Sequence, residues 1–514
     1  MNTSNPGQDQ SASKSSTSWF NIACVGVVQA CMGAVVVTTT TTLNRVMVVE
    51  LALPAMLPGF LVSLHYFIQM VRPRMGHGAD QSQRATPWIL GGMALLSLGG
   101  ILAAFATVWM ATHFLLGLVS ALVAFCMIGM GVSACGTTLL VLLSKGVGEQ
   151  QRAGAATAVW CMMIFGFALT SIVSGRLLDP FSFDRLLAVS LGVSALTLLL
   201  SGLSMWGLER RMLGERYKPQ AQAQDLGSNL VASGADQTLH VHEDAKRSFN
   251  KERKDSKAGF KQALALLWRD DQARLFTFFV FTSMLAYSAQ DLVLEPFAGF
   301  IYHYTPGQTT QLSGTLHASV LVGMLMLALI GSRFVKGRLG SVASWMVGGC
   351  LISALGMFGL CYAAYLGGFD QQLSLQPILY VLGMGNGLFS IAAISSMMHL
   401  ATLEKRELQV GDQAVQPGIR MGLWGAAQAI AFGLGGVVGS AASDLSKRWF
   451  SEPSWAYAIV FALEAMAFLM AAWMAYRVKS LSAEQETALS SGDSVAMGSK
   501  RPVFFKRNLA KVDL

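Results

Sequence analysis

The sequence predicts an all-α polytopic membrane protein, with twelve transmembrane helices in two six-helix halves. Three observations carry that prediction. Of 514 residues, 53% are hydrophobic and only 13% are charged, with a mean hydropathy of +0.48, which is too apolar for a water-soluble chain of this length. Apolar stretches of about 20 residues, enough to cross a hydrocarbon core of roughly 30 Å, recur between short charged breaks. A hydrophilic stretch from about Glu209 to Asp271 separates six of these stretches from the other six.

The predicted spans fall at about 19–42, 50–71, 87–110, 113–143, 153–175, 185–208, 272–294, 311–333, 341–366, 373–401, 418–442 and 454–477. They divide the chain into an N-terminal segment 1–18, a first half 19–208, a central loop 209–271, a second half 272–479 and a tail 480–514. Residues 1–18 are polar with one positive charge, Lys14, and the apolar run after them is too long for a signal h-region, so it reads as the first permanent span. With the N-terminus cytoplasmic, all but five of the 37 Lys and Arg residues fall on the cytoplasmic side, the exceptions being Arg45, Arg176, Arg185, Lys447 and Arg448. That asymmetry predicts cytoplasmic N- and C-termini and accounts for the net charge of +8 without nucleic acid. All seven cysteines lie in predicted spans, with no C-x-x-C pair and no histidine at ligand spacing, so neither a disulfide framework nor a zinc site is expected.

Polar residues inside or beside spans are the candidate site. Asn44 and Arg45 are expected at the outer end of span one and Glu50 at the start of span two. Five residues apart, Arg45 and Glu50 would not face each other on one α-helix, so partners on other elements are expected. Pro54, Pro58, His65, Gln69 and Arg72 form a polar stripe on span two, with the prolines expected to bend it. The loop after it, GHGADQSQR, fits the G-x-x-x-D-x-x-x-R pattern of the major facilitator superfamily at Gly76, Asp80 and Arg84, where a tight turn and an acid–guanidinium latch would tie helix ends together. That fold is therefore predicted. The counterpart after span eight, GSRFVKGR, keeps the basic residues without the carboxylate.

Weak internal repetition agrees with two halves. GMG at Gly129 to Gly131 recurs at Gly383 to Gly385, and RAG at Arg152 recurs as RMG at Arg420. In the central loop, about Lys218 to Lys257 reads as disordered, whereas Phe260, Leu264, Leu267 and Trp268 sit at the spacing of an interfacial helix. Asp291 and Glu295 fall on one face at the C-terminal end of span seven, where the dipole disfavours anions; either they mark a function or they are solvated outside the membrane. His317, His399, Asn386, Gln29 and Gln428 are further candidates, and Gly435 and Gly439 in GLGGVVGS read as helix packing. The tail KRPVFFKRNLAK reads as resting on anionic lipid or docking a partner. No enzyme motif of any specificity is present.

From Thr42 to Asp80 the chain reads TLNRVMVVELALPAMLPGFLVSLHYFIQMVRPRMGHGAD, followed at Thr86 by TPWILGGM and at Gln290 by QDLVLEPFAGFIYHYTPGQTTQLSGTLHA. These stretches resemble the bacteriochlorophyll delivery family, the branch of the superfamily holding the PucC and LhaA light-harvesting assembly factors, and sit nearer the LhaA type of the core antenna (LH1). Departures at Ala79, in QRATPW and in LEPFAG touch the loop latch more than the family pattern. The resemblance implies bacteriochlorophyll as cofactor, with carotenoid or lipid as further ligands. It implies as partners the α and β polypeptides of LH1, the reaction centre, bacteriochlorophyll synthase and the membrane insertion machinery, in a bacterial intracytoplasmic photosynthetic membrane. Chlorin magnesium accepts one axial oxygen or imidazole, which His65 or His317 would supply; Gln69, His399 and Asn386 are further pigment-binding candidates. Asn44, Arg45, Glu50, Asp291 and Glu295 would form an outer rim. Two other functions fit a twelve-span chain: a small-solute transporter, disfavoured by a midplane almost free of charge, and a pigment-free scaffold for antenna helices.

Overall fold

The computed structural model describes residues 18–72, 75, 84–213, 268, 271–331, 342–369, 371, 373–403, 417–449 and 452–490. Helices fill nearly all of them. In chain order they are α1 (Trp19–Glu50), α2 (Met56–Val71), α3 (Thr86–Thr112), α4 (Phe114–Gly146), α5 (Glu149–Leu178), α6 (Phe183–Met205), α7 (Asp271–Ile301), α8 (Pro306–Gly331), α9 (Val342–Gly367), α10 (Leu375–Leu403), α11 (Pro417–Trp449) and α12 (Pro453–Ser490). Eleven are long and apolar enough to cross a membrane, and α2 is a shorter apolar helix. Two buried clusters organise them, one drawn mainly from α1–α6 and one mainly from α7–α12, with Leu292 of α7 packing into the first and Cys161 and Ile164 of α5 into the second. Leu, Val, Phe and Met side chains such as Val119, Leu199, Leu355 and Met466 stay exposed around the outside. The protein is a multi-pass membrane protein, since only lipid suits such a surface.

The repeated glycines show why the halves share one plan. Gly129 of α4 lies against α2 at His65 and Ile68, and Gly131 against α3 at Leu96 and Gly92. In the second half Gly383 of α10 lies against α8 at Leu316 and Ser319, and Gly385 against α9 at Ser353 and Gly349. A Cβ at any of the four would come within 2.6 Å of backbone, so only glycine permits these crossings. Gly435 and Gly439 of α11 likewise admit α7 at Ser288 and Ala289.

Several boundaries differ from the sequence reading. Helix α1 does not stop near residue 42 but continues to Glu50, because Thr38–Thr42 and Val46–Glu50 are wound as π-helix with i→i+5 bonds. The threonine run explains the widening: Thr38 and Thr41 turn their hydroxyls back to the carbonyls of Ala34 and Val37 at 2.9 Å, competing with the backbone ladder. Helix α2 begins at Met56 rather than near residue 50, and its prolines do not bend it. Pro54 precedes the helix and Pro58 lies in its first turn, where a missing N–H leaves no bond unmade. At the other end of the chain α12 runs past residue 479 to Ser490. The predicted helix at 260–267 and the tail after residue 490 lie outside the described residues.

Candidate functional site

Among the described residues, hydrogen bonds that join the halves cluster where α1, α5, α7 and α11 end and α2 and α8 begin. Asn44 donates through Nδ2 to the carbonyl of Leu292 at 2.9 Å. Arg45 donates through Nη2 to the carbonyl of Tyr304 at 2.7 Å and through Nη1 to Glu50. Thr42 and Thr310 share a hydroxyl contact of 3.2 Å, and Thr305 donates to Asp179 at 2.6 Å. The amides of Ala55 and Met56 donate to the two carboxylate oxygens of Asp444, at 3.0 and 2.8 Å, which caps the first turn of α2 with a residue from the other half.

Arg45 and Glu50 therefore do pair on one helix, against the expectation from α-helical spacing. The π-wound turn between them brings residues five apart onto the same side. Nor do the five polar residues form an open rim. Asn44 is buried, Arg45 is 2% exposed and Glu295 is fully buried, while Glu50 reaches the surface. Asp291 and Glu295 are not at a helix end either, because α7 passes through Pro296 and continues to Ile301. Ser313 donates to Glu295 at 2.6 Å, with Arg45, Thr41 and Thr309 close by, so Glu295 is not a solvated surface carboxylate. Asp291 is part-buried, and its Oδ1 has no hydrogen-bond partner.

The two candidate histidines share one arrangement. His65, on α2, bonds through Nδ1 to the carbonyl of Val62, and His317, on α8, through Nδ1 to the carbonyl of Ser313 at 2.8 Å. A carbonyl only accepts, so Nδ1 carries the proton in a neutral ring and Nε2 keeps its lone pair. His65 is fully buried between Tyr66, 4.0 Å away by ring centroid, and Phe125, and its Nε2 has no partner. The ring of Phe167 meets His317 edge-on at 5.1 Å. Gln69 is buried and accepts from Arg72. Gln29 donates to the sulfur of Met163 at 3.2 Å, and Gln428 approaches that of Met284 at 4.0 Å. His399 falls on α10, but its side chain lies outside the described residues, as do Gly76 and Asp80 of the loop latch; Arg84 is described and exposed.

Asn386, a candidate of the sequence reading, gains partners the sequence did not show, and two groups, Asp444 and Glu464, escaped that reading. Asn386 is the middle of a buried chain in which Ser353 donates to its Oδ1 at 2.7 Å and its Nδ2 donates to Gln290 at 3.1 Å. Asp444 caps α2, as noted. Glu464, the twelfth residue of α12, is buried with neither carboxylate oxygen partnered. It corrects the expectation of a nearly charge-free midplane: FALEAMAF hides one acid in an apolar run. The sole signal was that acid itself, since a carboxylate inside a span is costly and faces protein.

Among the described residues no three His, Cys, Asp or Glu side chains gather as a metal site, and all seven cysteines are free. What the arrangement offers instead is two imidazoles with Nε2 lone pairs, one in each half, each set against aromatic rings. A hydrogen bond from Nδ1 to a backbone carbonyl is the usual support for an axial imidazole, and both histidines have it.

The family described as PUCC protein matches residues 42–242 and 237–482. A Rhodobacter capsulatus protein named "Bacteriochlorophyll synthase 44.5 kDa chain" is 41% identical over 89% of this chain and 95% of its own length. "Uncharacterized protein in puhA-bchM intergenic region" of Rhodobacter capsulatus is 26% identical, covering 81% of this chain and 78% of that protein. "Protein PucC" of Cereibacter sphaeroides is also 26% identical, covering 85% and 87%. Among solved structures, a bacterial homologue of the human drug peptide transporters PepT1 and PepT2 superposes with a TM-score of 0.60 at 15% identity, covering 91% of this chain and 99% of that one. A peptide transporter POT does so at 0.60 and 13%, covering 89% and 94%. At such identity the likeness speaks for the fold alone, the major facilitator fold that the GHGADQSQR loop predicted. With the two matched segments spanning both halves and the 41% relative covering nearly the whole chain, the protein belongs to the PUCC protein family.

Proposed function

We propose that the protein is an assembly factor of the photosynthetic antenna that binds bacteriochlorophyll and passes it to, or holds it with, the α and β polypeptides of the core antenna beside the reaction centre. One observation carries the pigment half of this reading: His65, fully buried within a span, presents an unpartnered Nε2 while Nδ1 is fixed on Val62. An unmet imidazole nitrogen in a membrane interior is costly unless a ligand meets it. Bound pigment would supply a magnesium ion as Lewis acid, and Nε2 of His65 or His317 is the group that would meet it. The chain's part is to orient the ring of His65 between Tyr66 and Phe125 and to keep water away from it. Family membership supports the antenna half, and the relative bearing the name of a bacteriochlorophyll synthase chain supports a place beside that enzyme, with this chain acting by binding and not by catalysis. We place it in the photosynthetic inner membrane with both termini cytoplasmic, on the charge asymmetry of its loops. Alkaline phosphatase fused after Gly307 is then active and after Gly78 inactive.

The test is purification in mild detergent from a photosynthetic host. The expected product absorbs in the near infrared at about one pigment or more per chain and carries antenna polypeptides, and His65→Leu or His317→Leu lowers pigment content with the fold intact. A colourless protein that still carries antenna chains would replace this reading with a pigment-free scaffold. The transporter reading gains from Asp291 and Glu464 inside the spans, and a protein carrying neither pigment nor antenna chains would leave it standing.

A further inference from the structure

Helix α6 ends at Met205, the chain turns through Trp206 and Gly207, the glycine at φ +66°, and a short helix follows at Leu208–Leu213. Leu208 and Met212 are buried, Met212 against Gly146 of α4. Glu209 ties the short helix to α3, accepting from the amides of Ala85 and Thr86 at 2.7 and 3.0 Å and from the Thr86 hydroxyl at 2.5 Å. Arg210 and Arg211 are left on the exposed side.

Arg211 is held in place. Its Nη2 donates to the carbonyl of Trp206 at 3.0 Å, and its guanidinium carbon lies 5.6 Å from the ring centroid of Phe20 in the first turn of α1. An interfacial arginine ordinarily moves freely on its long stem, and this one does not. Its other N–H groups, and all those of Arg210, meet no acceptor among the described residues. The one acid of the short helix is spent on α3, so the two arginines stand without a counter-charge. Cations elsewhere on this side are engaged: Arg274 with Asp271 and the carbonyl of Trp268, and Lys479 with Ser344.

The surroundings are those of a membrane interface. Trp19, Phe20 and Trp206 are 57%, 62% and 81% exposed, and such rings settle at headgroup depth. From Trp206 the exposed Leu203, Leu199 and Leu196 continue along one face of α6. That face is about 15 Å long, one leaflet of a core roughly 30 Å thick. Gly202 leaves a notch beside it, since a Cβ there would touch nothing within 4 Å.

We infer that Arg210 and Arg211 bind the phosphate of an anionic phospholipid whose acyl chain lies along Leu203, Leu199 and Leu196. Guanidinium groups take phosphate through paired N–H donors. A choline headgroup would bring a cation that finds no free acid in the short helix, which favours lipid of net negative charge. The site lies wholly in the first half and uses neither His65 nor His317.

The test is native mass spectrometry of the full chain in detergent, titrated with phosphatidylglycerol or with phosphatidylcholine of the same acyl chains. Phosphatidylglycerol should bind about tenfold or more tightly than phosphatidylcholine. Arg210→Gln, which breaks no contact within the protein, should reduce that preference, and Arg210→Gln with Arg211→Gln should abolish it, while Arg274→Gln leaves it intact. Equal binding of the two lipids by the wild-type protein overturns the proposal. A preference unchanged in the double variant, or lost equally in Arg274→Gln, overturns the assignment to this site. Competition by glycerol 3-phosphate as effective as by the intact lipid would make the ligand a soluble phosphate and overturn the lipid.

Discussion

The two halves have one helical plan and different interiors. In α1 to α6 the middle of the bundle is packed with Leu, Ile, Met and Ala, and apart from His65, Gln29 and Gln69 its buried polar groups are mostly hydroxyls, some bonded within their own helix, as Ser133 to Gly129 and Thr107 to Ala103. In α7 to α12 the middle holds Gln290, Asn386, Asp291 and Glu464, bonded between helices or not at all. Hydroxyls that return to their own helix add little to helix association, whereas amides and acids in lipid-enclosed protein demand partners. The first half therefore carries its unmet polarity chiefly at His65, and the second carries amides and acids along its own bundle.

Arg45, which belongs to the first half and bonds to the second, gives the largest way to break that contrast. Arg45→Ala leaves Glu295 buried beside no guanidinium and frees the carbonyl of Tyr304, and it should cost on the order of 3–5 kcal/mol in unfolding assays in detergent. A loss below about 1 kcal/mol would mean the halves are held by apolar packing alone. Next come the glycines: Gly131→Leu and Gly385→Leu each drive a side chain into backbone, and each should cost at least about 1–3 kcal/mol, by an equal amount if the shared plan is real. A large inequality in their melting temperatures breaks the equivalence. Asn386→Leu strands Gln290 and Ser353 and should cost about 1 kcal/mol, against a near-zero effect of Ser133→Ala in the first half. Equal effects would erase the difference between the interiors. The smallest is Asp444→Asn, which keeps a cap on α2 but loses its charge, worth about 0.5–1 kcal/mol by the same assay.

Much of this was legible in the amino acids. Span positions followed from apolar length, and the GMG pairs announced equivalent helices because close crossings accept only glycine. His65 and Asn386 stood out as polar residues in apolar runs. The pairing of Arg45 with Glu50 was not legible, since it depends on π-winding over Val46–Glu50 that no residue type in that stretch announces. Backbone acceptors such as the carbonyl of Tyr304 leave no mark in a sequence. Glu464 was visible as one letter, but its enclosure with neither carboxylate oxygen partnered is a neighbourhood only the fold creates.

The cap on α2 also orders events during synthesis. Asp444 follows Met56 by 388 residues, which at a ribosomal pace of about 5–20 residues per second is roughly 20–80 seconds. For that interval α2 sits in the bilayer with the amides of Ala55 and Met56 lacking their native acceptor. The amino-terminal half is thus born incomplete at its rim, and its second helix reaches its finished form only when the eleventh arrives. A ribosome that stalls between the two would release a chain with a lasting defect at that spot, a natural handle for membrane quality control.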